Sequence, residues 1–262
     1  MKIATSLAAV ALIACSSPQD MGEAVGTDAS DGAGPASETG QPREIMIETD
    51  SLKFVYAWPA QVLAIPALDA AFEVRAQGEH DEYAAYAAEA KADAEKNDYP
   101  FRGYDFSKGW EVAADTPRFL SLVAGTYAYT GGAHGNSWFD AMLWDRRAEA
   151  ELAPTDLFAS PAALEGAVRE AYCNGLKSER SERLGGSRTN GPDIFDSCPA
   201  LDELVMVLGS SDGETFDTIE LLAAPYVAGA YAEGPYEVTV PVTQPVIDVA
   251  KPEYRAAFSL AN

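Results

Sequence analysis

Apolar and polar residues alternate from Glu44 to Tyr56 in two short runs separated by Asp50 and Ser51, which predicts a first pair of strands. Pro59 and Pro66 then frame the entry to a helical stretch. From Ala67 to Asn97 the chain is dominated by Ala, Glu and Lys, with Leu68, Phe72, Tyr83, Ala87, Ala90 and Ala94 at mostly helical spacing. This predicts one long helix, with Gly78 the point at which it would break. Tyr83 and Tyr86 fall on its register as core or boundary aromatics in preference to a binding stripe.

Three further apolar runs, Trp110–Ala114, Phe119–Tyr129 and Ser137–Trp144, predict an antiparallel meander. The first two are linked by Asp115-Thr116-Pro117, which has the composition of a turn. The second and third are joined by Thr130-Gly131-Gly132-Ala133-His134-Gly135-Asn136, whose three glycines suit a hairpin apex. Ser160-Pro161 reads as an N-cap followed by proline in the first turn, opening a helix through Leu164, Val168 and Tyr172 to about Leu176. Lys177–Pro199 is expected to be a long polar loop. Leu204–Leu208 and Phe216–Leu222 form a second hairpin across Ser210–Gly213, and Tyr236–Val242 supplies a last strand. The tail from Gln244 onward has no decisive pattern. Clustered strands with two inserted helices predict an α+β fold: a mainly antiparallel sheet with two principal helices packed on it.

Charge narrows the partners. The 262 residues carry 41 acidic and 18 basic side chains, a formal net charge of −23 with a pI near 4.2. Nucleic acid is excluded as the main partner, because its recognition needs Lys and Arg clusters that this composition lacks. A cationic partner suits the field; acidity that serves only solubility is the alternative.

The apolar run Ile3–Ile13 after Lys2 is too short for a membrane span and reads as the core of a signal peptide, residues 1–14. Leu12-Ile13-Ala14-Cys15 resembles the bacterial lipobox, which implies lipidation of Cys15. With Ser16 in place of aspartate, the resemblance implies an envelope lipoprotein in the outer membrane, facing the periplasm. Residues 15–42, rich in Ser, Gly, Ala, Asp and Pro, then form the anchor and a flexible tether. The remaining cysteines, Cys173 and Cys198, are expected to form a disulfide in such a compartment. No second Cys or His stands at metal-ligand spacing from either.

The apex and several later segments carry a wider resemblance. Tyr129 followed by Thr130–Asn136 (TGGAHGN), then Phe139-Asp140, Leu152–Phe158 (LAPTDLF), Pro225–Tyr231 (PYVAGAY) and Val240-Pro241, resemble the RsiV-like domain. That domain is found on lysozyme-sensing anti-sigma factors and ahead of the catalytic domain of some peptidoglycan deacetylases. The resemblance implies two subdomains, 43–136 and 137–262, sharing a sheet surface. It also implies a non-catalytic binding module for a basic lysozyme-type muramidase, with Tyr127, Tyr129, Thr130, Gly131, Gly132, His134, Asn136, Trp138 and Asp140 as binding residues and Tyr226 and Tyr231 as neighbours. Peptidoglycan or another envelope glycan is the alternative ligand, and a cell-wall hydrolase is the third reading. The membrane span and sigma-binding segment of the sensors, and the catalytic domain of the deacetylases, have no counterpart in this sequence, so only a binding role carries over.

No catalytic residue is assigned, and no cofactor or metal is expected. The chain has two histidines, and His134 has neither a Gly-x-Ser-x-Gly elbow nor an evident orienting partner nearby. Whether His134 binds a ligand or stabilises the turn through its backbone is left open by the sequence.

Overall fold

A computed structural model describes residues 40–186, 195 and 197–261. The signal peptide, Cys15 and nearly all of the tether lie outside the described residues, as does most of the stretch 187–196.

The alternation at the start of the chain becomes β1 (Arg43–Glu48) and β2 (Leu52–Trp58), an antiparallel pair. One face of β2 is fully apolar: Leu52, Phe54, Tyr56 and Trp58 are all buried. A short turn of helix, α1 (Ala60–Leu63), leads into the long α2 (Pro66–Asn97), which crosses the sheet so that β3 (Tyr104–Asp115) returns parallel to β2. α2 runs unbroken through Gly78, where an added Cβ would meet nothing within 4 Å. Its alanine and glutamate neighbours outweigh the cost of about 1 kcal/mol for one exposed helical glycine.

β3 begins six residues ahead of the expected Trp110, and the reason is a buried charge. Phe106, Lys108 and Trp110 alternate onto the face under α2. Lys108 is only 9% exposed, between Glu79 of α2 and Asp140 of β5 (Asn136–Asp145), each 2.9 Å from its ammonium. Burial alone would lower the Lys108 pKa, but its bonds to Asp140 and Glu79 outweigh this and raise it. A lysine in an inward position hid the period-2 pattern.

β4 (Phe119–Tyr129) joins β3 to β5, and the short β6 (Ala150–Leu152) completes a six-stranded sheet in the order β1-β2-β3-β4-β5-β6. Every neighbouring pair except β2–β3 is antiparallel. The boundary expected after Asn136 falls just inside β5, and residues on both sides of it pair in one sheet. Phe54, Phe72, Phe106, Trp110, Leu120 and Leu122 fill the core between this sheet and α2.

Ser160 caps α3 (Pro161–Arg183), its hydroxyl accepting from the Ala163 amide at 3.2 Å. The helix extends seven residues beyond the expected Leu176. The polar run Lys177–Arg183 is helical because Arg180, one turn after Leu176, turns inward and donates to the Ala228 carbonyl at 3.0 Å from Nε. β7 (Val205–Gly209), β8 (Thr218–Ala223) and β9 (Tyr236–Pro241) form a separate antiparallel sheet under α3, closed by α4 (Gln244–Val249) and Phe258 of the tail. Cys173 and Cys198 are bonded, with Cα atoms 5.6 Å apart. Their separation of 25 residues corresponds to about 3.5 kcal/mol in a chain-entropy account. The architecture is the α+β class that the hydrophobic pattern predicts, with two principal helices.

The base of the β4–β5 hairpin is held by charge. Asp145, 1% exposed, faces the Arg118 guanidinium, with Nη2 2.7 Å from Oδ2. It also accepts from the Arg147 amide at 2.9 Å and the Ala148 amide at 3.3 Å. Burial pushes this carboxyl up, but Arg118 and the two amides outweigh burial and hold it below the usual carboxylate range. Arg118 in turn lies over the rings of Phe119 and Tyr254 at 4.8 and 4.9 Å. Asp145→Asn is expected to cost about 3 kcal/mol near neutral pH, read from a urea denaturation midpoint. Because the folded pKa is depressed, this contribution is complete above the ordinary carboxylate range and is lost as pH falls through the folded value. The gap between variant and wild type should therefore narrow in acid; a gap independent of pH would refute this role.

Candidate functional site

From the last paired residues of the hairpin, Ala128 and Asn136, the segment Thr130–Gly135 projects as a turn. Gly131 and Gly132 take φ of +97° and +90°, a region that residues with a Cβ rarely occupy. Tyr129 donates its hydroxyl to the Gly132 carbonyl at 3.3 Å. Gly135 meets a different constraint: a Cβ there would lie 2.5 Å from the outer atoms of the Tyr127 side chain, Cε2, Cζ and Oη.

His134 is tied to the turn and to a second segment. Its Nδ1 donates to the Gly135 carbonyl at 2.8 Å, and its ring stacks on Tyr231 with centroids 3.8 Å apart and planes 22° from parallel. The Tyr231 hydroxyl donates to the same Gly135 carbonyl at 2.9 Å. Tyr231 opens a 3-10 turn whose Glu233 side chain accepts from the Ala230 amide. Tyr226 extends the stack, 5.6 Å from Tyr231. It is 54% exposed and holds φ at +73°, a left-handed conformation costing a residue with a Cβ about 1–2 kcal/mol.

The opposite side of the tip is also aromatic. α2 ends at Asp98 in the left-handed conformation, which returns the Tyr99 amide to the Ala94 carbonyl at 3.1 Å. Tyr99 donates its phenol to Asp93 at 2.7 Å, and Tyr86 donates to Glu82 at 2.8 Å. These carboxylate bonds raise both phenol pKa values. Two open depressions of about 540 and 420 Å3 meet here and share Ala90, Tyr99, Tyr104 and Thr130. A third, of about 310 Å3, lies along Tyr127, Tyr129, Asp105, Lys53 and Glu48. Burial first, then Asp105, raises the Tyr127 pKa.

Of the residues expected to bind, Tyr127, Tyr129, Thr130, Gly131, Gly132 and His134 converge at the tip, with Tyr226 and Tyr231 beside them; exposed Asn136 begins β5 at its edge. Trp138 and Asp140 do not join them. Strand alternation turns both toward α2, where Trp138 packs on the core and Asp140 is committed to Lys108. Tyr86, read from the sequence as core or boundary, is 50% exposed, while Tyr83 lies 4.4 Å from the buried ring of Phe106. Tyr99, Phe101 and Tyr104 went unnoticed in the sequence. Three aromatics in six residues directly after a helix were the available signal. Among the described residues, no group of His, Cys, Asp or Glu side chains is placed to hold a metal ion, and no helix is long and apolar enough to cross a membrane.

Comparison with known proteins agrees with this organisation at the level of the domain. A family model described as deacetylase PdaC matches residues 45–137, which run from β1 through the hairpin tip. The chain is similar to a crystal structure of a DUF3298 family member from Bacteroides fragilis, at 18% identity over 80% of this chain and 96% of that one, with a TM-score of 0.50. A DUF3298 family protein from Pseudomonas aeruginosa aligns at 16% identity over 83% of this chain and 96% of its own, with a TM-score of 0.47. At such identity the likeness to the first speaks to the fold. No functionally curated protein matches the chain.

Tyr226→Gly should relieve the left-handed strain while removing a ring that is largely in solvent. The expected outcome is a gain of roughly 0.5–1 kcal/mol in urea denaturation. A loss would mean that packing on Tyr231 outweighs the strain.

Proposed function

We propose that this protein is a non-catalytic recognition module of the bacterial cell envelope, whose partner, a basic lysozyme-type muramidase, docks on the tip of the β4–β5 hairpin. One observation carries the reading. The large aromatic side chains most exposed among the described residues, Tyr86, Tyr99 and Tyr226, all flank this tip. Exposed aromatics gathered at one place are characteristic of a binding surface, because each offers a large contact area at small cost in side-chain entropy.

The net charge of −23 supplies the attraction that would steer a cationic protein toward the tip. The roles divide accordingly. Acidic residues accelerate encounter over a long range, and the stack of His134, Tyr231 and Tyr226 forms the desolvated contact. His134, with Nδ1 on a backbone carbonyl and one face on Tyr231, acts as a rigid part of that surface rather than as a base. A lipidated Cys15 would hold the module at the membrane surface, with residues 16–42 as its tether.

Calorimetric titration of the full chain with a basic c-type lysozyme tests this. The expected result is saturable one-to-one binding that weakens with salt but persists at moderate salt. Tyr226→Ala combined with Tyr231→Ala should lower the affinity about tenfold or more, with unchanged circular dichroism. Heat that vanishes with salt, or an affinity indifferent to both substitutions, would refute the proposal.

A further inference from the structure

We infer that the junction between the two sheets is an acid-tightened latch, built from Glu111, Glu220 and Glu237, which governs how firmly the segment carrying Tyr226 and Tyr231 is held. The register of the three-stranded sheet sets the placement. Glu220 pairs with Val207 on one side and Thr239 on the other, while Leu222 pairs with Val205 and Glu237. Residues directly opposite in an antiparallel ladder share a face. The alternate residues Ile219, Leu221 and Val238 belong to the core under α3, so Glu220, Leu222 and Glu237 point the other way, toward the six-stranded sheet. There Val207 and Leu222 meet Phe139 of β5, beside Val123 of β4. Glu111 of β3, paired with Val123, faces the same space from its exposed rim.

Carboxylates are out of place in such a contact. The apolar cluster is small, with Phe139, Val207 and Leu222 its buried members. Glu220 and Glu237 are diagonal neighbours across β8 and β9, about 7–8 Å apart at the backbone and within reach of each other's long side chains. Among the described residues, none of the three carboxylates accepts a hydrogen bond or stands within ion-pair distance of a cation. β7 and the residues Val123, Phe139 and Ala141 bring no titratable side chain to the junction. From α3, Glu179 adds a further negative charge beside Glu237, and Arg183 a positive one. That guanidinium is already engaged with the Glu233 carbonyl at 3.0 Å and with Glu179 at 3.7 Å. Burial, then the charge of Glu237, pushes the Glu220 carboxyl up to about 6. Burial also raises Glu237, against the pull of Arg183, and raises Glu111.

The position of these groups gives the latch its effect. Residues 224–235 leave the end of β8 and return into β9, whose second residue is Glu237. Tyr231 of that segment reaches the hairpin through the Gly135 carbonyl and the His134 ring. The hairpin thus grips the segment at its far end, and the junction sets the footing of the two strands at its root. When ionised, Glu220 and Glu237 repel each other and draw water between the sheets. When protonated, one carboxyl can donate to the other, and the sheets close on Phe139. Because the folded carboxyls titrate above their ordinary range, the cost of burying them is absent below their unfolded pKa. It grows as the pH rises through the folded value, about 6 for Glu220, and is complete above it. None of this requires a partner, so the latch and the recognition role of the tip hold or fail separately.

The experiment compares the full chain, Glu220→Gln, and Glu220→Gln combined with Glu237→Gln by urea denaturation and by hydrogen–deuterium exchange, between about pH 4.5 and pH 7.5. Glutamine stands in for the protonated carboxyl. At pH 7.5 the folding equilibrium constant of Glu220→Gln should exceed that of the wild type by about tenfold, and the two should converge near pH 4.5. After correction for the intrinsic pH dependence of exchange, wild-type amides in residues 205–209 and 224–235 should exchange severalfold faster at the higher pH. In the double variant they should be slow throughout. Glu214→Gln, at an exposed carboxyl in the β7–β8 turn, should behave as the wild type does. Three results would overturn the inference: a Glu220→Gln variant no more stable than the wild type at pH 7.5, wild-type exchange in 224–235 indifferent to pH, or a pH response that persists in the double variant.

Discussion

A buried carboxylate at the foot of the β4–β5 hairpin sets what its tip can do. Asp145 is almost wholly removed from water, and an unpaired carboxylate there would be strongly disfavoured. Arg118 and the amides of Arg147 and Ala148 satisfy it and in doing so fix where β4 begins and β5 ends. Between those points the two strands pair without interruption from Phe119–Asp145 to Ala128–Asn136. The turn is therefore presented at the end of a long, stiff arm. Arg118 also clasps Tyr254 and the Glu253 carbonyl, which ties the arm to the C-terminal part of the chain.

At the other end of the arm, conformation is held by ring packing instead of charge. Tyr127 fills the space that a side chain at residue 135 would take, and His134 and Tyr231 converge on the Gly135 carbonyl. The tip thus depends on a segment some ninety residues later in sequence. Tyr226 is kept in a left-handed conformation beside it, and strain of this kind persists only where the surroundings over-determine it. The hairpin tip divides the exposed aromatics into two sides, Tyr226 with Tyr231 on one and Tyr86 with Tyr99 on the other.

Much of this was legible in the sequence, and the failures have physical causes. The glycines and histidine of residues 130–136 marked the turn, because few other residue types tolerate its backbone. The pairing of Cys173 with Cys198 followed from their number. The early start of β3 was hidden by Lys108, a charge made tolerable inside by Glu79 and Asp140 from distant elements. The last turns of α3 were hidden in the same way by Arg180, whose partner is a backbone carbonyl at residue 228. Trp138 and Asp140 were grouped with the tip because they follow it closely, but alternation along a strand turns them to the face under α2. Tyr99 and Tyr104 could be placed only once the left-handed turn at Asp98 was known, since that turn folds the segment back over the helix end.

The central claim is that the hairpin tip and the Tyr226–Tyr231 segment form one recognition surface. Hydrogen–deuterium exchange of the full chain, alone and with a saturating basic c-type lysozyme, tests it most directly. The account predicts slowed exchange concentrated in residues 127–136 and 226–233, with the β1 edge and α3 unchanged. Protection centred on those latter elements, or none anywhere at saturation, would contradict it.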